Sequence, residues 1–438
     1  MFLLDSRALT KVQSVALIAV IAVAAVVGGT VYFFWRENAP STETIKIGLL
    51  GDLDWLGGKE LLHAAMLAAE QVNAEGGVLG RNFTIVSEDD DSSMGDISVA
   101  TNALTKLITV DNADYIVSPL MLMGFPYQDI CADHKKILIA VGSNSDRLSQ
   151  RVLDNHDKYK YFFSVMPNAS SAVDGWVDAI LTLRNYTGFN KVAYLDQDVS
   201  TFQEFRLAIT ESLSENGFDL VYQNSATWEV TDFTSYFSAI EAAGAEILFP
   251  LLYGSICTSF VKEWCDRQSP FVVWGTVGQA ELSNFWELTD GKCEYVSFAG
   301  FPTMAGYPLT NQTVPFREAY LQRWNGEMPT SSGTLAYDAV RFILPDAIRR
   351  AGTTETEAVM KALETTNVET TTARHFVFTS SHDAMIGLAG PNKPSMDYTL
   401  VLLFQWQNGV QVPVYPKEVL DEAGTTYECP PWQGAWSD

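Results

Sequence analysis

Short apolar runs alternate with amphipathic stretches along most of the chain. Residues 45–50 form an apolar run, and the stretch after it carries apolar residues at helical spacing. This predicted helix should end near Asn73, because Gly76 and Gly77 can adopt the positive φ angles that a C-terminal cap needs. A second apolar run follows at residues 83–87. Strand, helix and strand in this order predict a right-handed crossover between parallel strands, and therefore an α/β protein.

The same alternation recurs further along the chain. Helical stretches separate apolar runs that predict strands at residues 115–118, 137–141, 191–195, 219–223, 246–251, 271–274 and 295–300. Two more predicted strands, 398–406 and 410–414, flank Asn408 and Gly409, which form a strong hairpin signal. The pattern predicts two doubly wound parallel sheets of similar size.

The N-terminal region has a different pattern. Residues 15–34 are continuously apolar, and a run of about 20 residues matches the thickness of a bilayer core. Arg7 and Lys11 precede the run, which predicts a cytoplasmic N-terminus. A cleaved signal peptide is the alternative, with Gly28 and Gly29 marking the cleavage region. We favour an uncleaved transmembrane anchor, because the apolar run continues past these glycines.

Length and charge narrow the classes of function. A chain of 438 residues is too long for one core, so two lobes are expected. Lys and Arg number 28 against 53 Asp and Glu, which gives a net charge of -25. Such a surface repels phosphate backbones and excludes nucleic acid as a partner.

Several motifs resemble those of the type I solute-binding proteins, the leucine/isoleucine/valine-binding relatives that feed ABC importers. NAEGGVLGR at residues 73–81, followed by a strand and SEDDD, resembles the opening of that family. FREAYLQRW at residues 316–324 and the Ala-Tyr-Asp-Ala sequence at residues 336–339 resemble two of its later helices. The resemblance extends from about residue 45 to 414 in the family's order.

The resemblance implies two doubly wound parallel-sheet lobes joined by a hinge, here preceded by one N-terminal transmembrane helix. It also implies a strand at residues 371–378. The predicted divisions are 1–36 for the membrane anchor or signal segment, 37–44 for a linker, 45–164 with 298–372 for lobe 1, 165–297 with 373–415 for lobe 2, and 416–438 for a C-terminal tail.

Ligands of parallel α/β sheets bind at the carboxyl ends of the strands, so two facing sheets would form a cleft there. The ligand-binding candidates follow predicted strands in both lobes: Trp55, Met121, Leu122, Gly142, Ser143 and Asn144 in the first lobe, and Asp198, Ser200, Thr201, Tyr253, Thr276 and Val277 in the second. Structural roles remain open for several of them. Trp55 and Tyr253 can pack under loops, Met121 and Leu122 can face the core, and Asp198 can cap a helix.

Two departures from the family affect the ligand. Its amino-acid binders offer serine hydroxyls from the loop that is here Met121, Leu122 and Met123. Val277 stands near the position where they place a glutamate against the ammonium group. Without that charge-assisted contact, a less charged or partly apolar solute is favoured over an α-amino acid. The identity of the ligand stays open.

No enzyme signature is present in the sequence. The five histidines lack the spacing of a zinc-binding helix, and no nucleophile elbow, P-loop or Rossmann fingerprint follows a strand. We therefore expect no catalysis, no cofactor and no metal. The predicted function is extracytoplasmic capture of a branched-chain amino acid, amide or related compound for delivery to ABC permease subunits. The alternative is a ligand-sensing ectodomain of a receptor complex with the same fold.

The cysteines and the glycosylation sequons bear on disulfide pairing and cellular location rather than on the ligand. Five cysteines cannot all pair, and both a Cys265–Cys293 disulfide and a set of free thiols remain open. Asn-x-Ser/Thr sequons begin at Asn82, Asn168, Asn185 and Asn311. Together with the acidic surface and the anchor, they suggest an archaeal cell surface.

Overall fold

The computed structural model describes residues 43–53, 58–91, 96–120, 123–142, 145–199, 202–388 and 395–433. Contacts within the chain divide it into two units, residues 1–44 and 45–438, and the second contains all the elements given below. The predicted membrane span at residues 15–34 lies outside the described residues. Among those described, no helix has the length and apolar character needed to cross a membrane.

The first sheet has five parallel strands in the order β2-β1-β3-β4-β5. These are β1 Ile45–Gly51, β2 Phe83–Asp89, β3 Tyr115–Ser118, β4 Ile137–Ala140 and β5 Phe162–Ser164. The helices between and beside them are α1 Gly58–Ala74, α2 Ile97–Thr109, α3 Gly124–Asp133, α4 Asp146–Asp154 and α5 His156–Tyr159.

The second sheet has seven strands in the order β12-β11-β10-β9-β8-β6-β7. They are β6 Lys191–Gln197, β7 Asp219–Ala226, β8 Ile247–Leu252, β9 Val272–Val277, β10 Ser297–Gly300, β11 Leu402–Gln407 and β12 Val410–Tyr415. Strands β6 to β10 are parallel, and β11 and β12 form the predicted antiparallel hairpin. The accompanying helices are α6 Ala169–Thr187, α7 Phe202–Glu215, α8 Thr234–Ala242, α9 Ile256–Arg267 and α10 Phe285–Leu288.

The remaining helices follow β10 along the chain. They are α11 Pro302–Ala305, α12 Thr313–Arg323, α13 Ser331–Asp338, α14 Leu344–Ala351, α15 Thr356–Leu363 and α16 Lys417–Ala423, with short 3₁₀ turns at Gly278–Glu281 and Pro431–Gln433. A π-helical stretch, Ala339–Ile343, joins α13 to α14. Pro345 follows it and has no N–H to donate to the preceding turn, which favours such a local rearrangement.

Each sheet has one hydrophobic core on each of its two faces, and the side chains of its strands point into one or the other. In β1, Ile45, Ile47 and Leu49 join one core of the first sheet, and Leu50 joins the other. All four side chains are fully buried. A parallel sheet covered by helices on both faces explains why its strands read as continuous apolar runs rather than as alternating patterns. The predicted α/β class with two doubly wound sheets is confirmed.

The glycine turn after α1 has the predicted conformation. Gly76 and Gly77 have φ angles of 96° and 75°, and the Gly77 N–H donates to the carbonyl of Val72 at 2.9 Å. A Cβ at Gly77 would lie 2.2 Å from the carbonyl oxygen of Arg81. Glycine is therefore required at this position both by its φ angle and by the close approach of the chain.

The predicted strand at residues 371–378 is wrong. That segment makes two isolated bridges, Phe376 with Val368 and Phe378 with Ala384, and no continuous strand. Asp338 accounts for the difference, because its carboxylate accepts from the backbone N–H of Thr371 at 2.9 Å and from the hydroxyl of Thr372 at 3.0 Å. The backbone donor that a strand would use is therefore already bound to a side chain.

Packing shows where the chain passes between the two sheets. Strand β10, which ends at Gly300, pairs within the second sheet. Residues from Phe316 to Ala384 then contribute to a core of the first sheet, and Leu400 joins a core of the second. The predicted lobe boundaries remain predictions. Cys131, Cys257, Cys265 and Cys293, all within the described residues, form no disulfide, so the Cys265–Cys293 pairing that the sequence left open is not present.

Candidate functional site

The two sheets repeat one topology. The order β2-β1-β3-β4-β5 of the first sheet recurs in the second as β7-β6-β8-β9-β10. In such sheets the strand order reverses at one point, between β1 and β3 in the first and between β6 and β8 in the second. Ligands bind outside the carboxyl ends of the strands beside that point. The topology therefore identifies the loops after these strands as the candidate site.

Glu204 makes a first contact between the two sheets, at their rims. By the rim of a sheet we mean the carboxyl ends of its strands together with the residues that follow them. Glu204 lies in the first turn of α7, after β6, and its Oε2 accepts from the hydroxyl of Ser145 at 3.2 Å and from the backbone N–H of Arg147 at 3.4 Å. Ser145 follows β4 and is the N-cap of α4. The N-terminus of α4 and the first turn of α7 therefore face each other.

A second contact joins the rims through Glu281. This residue ends the 3₁₀ turn that follows β9, and its carboxylate accepts from the hydroxyl of Ser331 at 2.8 Å and from the Ser331 N–H at 3.3 Å. Ser331 begins α13, whose residues Leu335 to Tyr337 belong to a core of the first sheet. Burial raises the pKa of Glu281 to about 7, against the opposing effect of the Ser331 hydrogen bonds.

Hydrogen bonds to its backbone fix the position of Tyr253 at the carboxyl end of β8. Its N–H donates to the Gln197 side chain at 2.8 Å, and the Gln197 amide donates back to the Tyr253 carbonyl at 3.1 Å. The Tyr253 ring lies 5.8 Å from the Phe202 ring, measured between centroids. A Cβ added at Gly278 would lie 2.5 Å from the Tyr253 ring, so the ring packs against that glycine. Burial raises the pKa of Tyr253, and the charge of nearby Glu281 acts in the same direction.

The other predicted site residues have different environments. Gly142 is exposed after β4, and a Cβ there would lie 3.1 Å from the Pro119 carbonyl oxygen. Asp198 is exposed, whereas Thr276 is buried. Val277 is fully buried in a core of the second sheet, so only its backbone remains as a candidate ligand contact. The remaining predicted residues lie outside the described residues: Trp55, Met121, Leu122, Ser143, Asn144, Ser200 and Thr201.

Sequence reasoning missed Glu204, Glu281, Phe202 and Ser331. Glu204 sits in the first turn of a helix, where an acid is ordinarily explained by the helix dipole. Glu281 lies four residues beyond Val277, past the position that the family pattern drew attention to. The contacts of Glu204 with Ser145 and of Glu281 with Ser331 could not be predicted, because the two residues of each pair belong to different lobes and are far apart in the sequence.

A buried acid lies where the chain crosses between the sheets. Asp383 accepts from the hydroxyls of Ser149 at 2.7 Å and Ser381 at 2.8 Å, and from the amide of Asn168 at 3.5 Å. Asn168 is the N-cap of α6, which packs on the second sheet, whereas Ser149 lies in α4 beside the first. Burial raises the pKa of Asp383 to about 7. Asp383 therefore joins the segments that pass between the two sheets through a buried hydrogen-bond cluster.

Comparisons with known proteins agree with this geometry. The model of the periplasmic binding protein family matches residues 44–389, well over half of the chain. Among curated proteins, Leu/Ile/Val-binding protein homolog 7 of Brucella melitensis is 23% identical over 405 residues, which cover 86% of this chain and 93% of that protein.

Solved structures share the fold. The branched-chain amino acid transporter substrate-binding protein LivJ of Streptococcus pneumoniae, in complex with isoleucine, superposes with a TM-score of 0.69 at 19% identity, covering 85% of this chain and 100% of that one. An ABC transporter substrate-binding protein of Sphaerobacter thermophilus gives a TM-score of 0.69 at 19% identity, covering 86% and 97%. At this level of identity the likeness shows a common fold.

Proposed function

The chain belongs to the periplasmic binding protein family, and we propose that it captures a small organic solute between its two lobes and delivers it to an ABC transporter. An extracytoplasmic location follows from the family. The named relatives are binding proteins rather than enzymes. We accordingly assign the site to reversible binding, with no bond made or broken in the solute.

The pair of contacts across the two rims is the observation that carries this proposal. Glu204 with Ser145, and Glu281 with Ser331, hold the carboxyl ends of two doubly wound sheets against each other. A solute that contacts both rims stabilises the closed arrangement, because it interacts with the two lobes together only when they have closed. The closed, ligand-bound form differs in shape from the open form, and a transporter can recognise that difference.

The described walls of the site favour a partly apolar solute. Tyr253 and Phe202 present aromatic surface on the side of the second lobe. The charge of Glu281 acts on Tyr253, and the hydrogen bonds from Ser331 already engage both oxygens of Glu281. Branched-chain amino acids, their amides and related compounds are the classes that we propose. A micromolar affinity requires about 8 kcal/mol, which a few aromatic contacts and hydrogen bonds can provide.

The N-terminal run at residues 15–34 is proposed to be an uncleaved membrane anchor. Its length and the preceding Arg7 and Lys11 support this assignment. Intact mass measurement of protein recovered from membranes should give the full 438-residue chain. A soluble product that begins after residue 28 would instead identify a cleaved signal peptide.

The ligand can be tested by thermal unfolding. The protein is denatured, washed free of bound solute and refolded, and its melting temperature is measured with aliphatic amino acids, amides and aromatic carboxylates at about 1 mM. One class should raise the melting temperature, because a ligand of the folded form stabilises it by mass action. The Tyr253→Ala variant should lose that response, whatever its melting temperature is without ligand. If every class leaves the melting temperature unchanged, the proposal is wrong.

A further inference from the structure

Two histidines and a glutamate meet beside the first sheet. His156 Nε2 lies 2.8 Å from Glu364 Oε1, and His382 Nε2 lies 3.4 Å from the same oxygen. One ligand atom from each residue lies within 4.8 Å of the other two. Local sequence patterns could not reveal this cluster, because its members come from α5, the end of α15 and the crossing segment near Asp383.

The hydrogen bonding of His382 leaves an electron pair directed at Glu364. Its Nδ1 lies 2.9 Å from the carbonyl oxygen of Phe162, which can only accept, so Nδ1 must carry the proton. In the neutral imidazole, Nε2 is then an acceptor facing a carboxylate, which is also an acceptor. These two acceptors can lie this close when a proton on Nε2 or a bound cation lies between them, and a metal ion in this place would be bound by both.

The surroundings fix this ring in place. His382 is 2% exposed, and its ring stacks on Phe163 with centroids 4.2 Å apart and planes 6° from parallel. Its backbone carbonyl accepts from the N–H of Ser164 at 2.8 Å. A histidine whose second nitrogen donates to a backbone carbonyl is the usual arrangement of a metal ligand, because that bond sets the tautomer and the ring orientation.

We propose that His156, Glu364 and His382 form a site for a divalent late transition-metal ion such as Zn²⁺ or Ni²⁺. Two imidazoles and one carboxylate suit these ions, whereas Mg²⁺ and Ca²⁺ prefer oxygen ligands alone. Ligand atoms around tetrahedral zinc lie about 3.4 Å apart. His156 is exposed and can rotate to reach this spacing, and the fourth position is left for water.

The ion would tie together three segments of the first lobe. His156 begins the short helix α5, Glu364 is the C-cap of α15, and His382 belongs to the segment that crosses to the second lobe. Metal binding is therefore expected to stabilise the fold near the hinge. This role is independent of the solute, which is proposed to bind at the strand ends.

The test uses the full chain without a polyhistidine tag, freed of metal by a chelator. Equilibrium dialysis against Zn²⁺ or Ni²⁺, followed by elemental analysis, should give one ion per chain, and Mg²⁺ should not bind. Removing a group that only orients a metal ligand already weakens metal sites by about 10–100-fold, so His156→Ala and Glu364→Ala, which remove ligands themselves, should each lower the affinity by at least about tenfold. In His382→Asn the amide can still donate to the Phe162 carbonyl, so a similar loss would reflect the missing Nε2.

Matched controls are available on the same chain. His134→Ala and His375→Ala remove exposed imidazoles outside the cluster and should leave the affinity unchanged. The Co²⁺-loaded native protein should show the intense visible absorption of a four-coordinate site, and the His156→Ala variant should lose it. A bound-metal content at background level, roughly less than a tenth of an ion per chain, would overturn the proposal. So would equal affinity in the cluster and control variants, which would leave the cluster as a metal-independent ion pair.

Discussion

Glu281 of the second lobe accepts hydrogen bonds from both the hydroxyl and the backbone N–H of Ser331 in the first lobe. Burial raises its pKa from the ordinary 4.5 to about 7, so the folded protein holds this proton more tightly than the unfolded chain does. The resulting contribution to stability is complete below about pH 4.5 and is lost as the pH rises through about 7.

The variant Glu281→Gln resembles the protonated carboxyl at every pH. Between pH 5 and 8 the native protein should therefore lose stability relative to the variant, by about 2 kcal/mol. Urea unfolding at several pH values measures this difference. Glu287→Gln, an exposed change in the following helix, is the control and should show no comparable trend. A constant difference between the native protein and Glu281→Gln would show that Glu281 is charged across the whole range.

Buried and exposed ion pairs should differ in their contribution to stability. Asp196 is the last residue but one of β6, has no exposed surface, and accepts two hydrogen bonds from Arg206, of 2.6 Å and 2.9 Å. Arg206→Ala leaves an uncompensated buried charge and should lower the free energy of unfolding by about 3–5 kcal/mol. Arg323→Ala breaks an exposed pair with Glu70 and should cost less than about 1 kcal/mol. Denaturant titration of both variants compares them, and equal losses would contradict this distinction.

Asp338 should be essential to the segment that replaces the predicted strand. It is buried, and its two oxygens bind the N–H of Thr371 and the hydroxyl of Thr372. Asp338→Ala leaves the buried Thr371 N–H without this acceptor and should cost about 2–3 kcal/mol. Asp338→Asn keeps one acceptor oxygen and should cost less. Chemical unfolding gives both values, and an Asn variant as unstable as the Ala variant would refute this role.

Tyr253 should contribute to ligand affinity. Tyr253→Ala removes the aromatic wall and should weaken solute binding by about 10–100-fold. Gly278→Ala should weaken binding too, because its new Cβ would displace the Tyr253 ring. Calorimetric titration with the solute identified by thermal unfolding measures both effects. Tyr186→Ala, on an exposed part of α6, is the control and should bind as the native protein does.

The architecture could be predicted because it follows from local patterns. The apolar runs that became β1 and β4 are buried on both faces, and that burial is what makes such runs continuous. The hairpin of β11 and β12 follows from Asn408 and Gly409, whose φ angles are 52° and 78° as the tight turn requires. Each of these signals lies within the element that it predicts.

The site was less predictable because its contacts come from distant parts of the chain. Val277 stays a predicted ligand contact, and because its side chain is fully buried in a core of the second sheet, that contact would be made by its backbone. Glu281 and Ser331 meet only because two lobes close on each other. The side chains of His156 and His382 come together only through tertiary packing, which no spacing rule records.

Isothermal titration calorimetry of the solute-free protein tests the central claim most directly. We expect one solute per chain, with a dissociation constant in the micromolar range or below and a negative heat-capacity change from the apolar surface that is buried. The same titration of Tyr253→Ala should show the weakened affinity given above. A correctly folded protein that binds no amino acid, amide or aromatic acid at millimolar concentration would contradict the claim that the facing strand ends form a solute site.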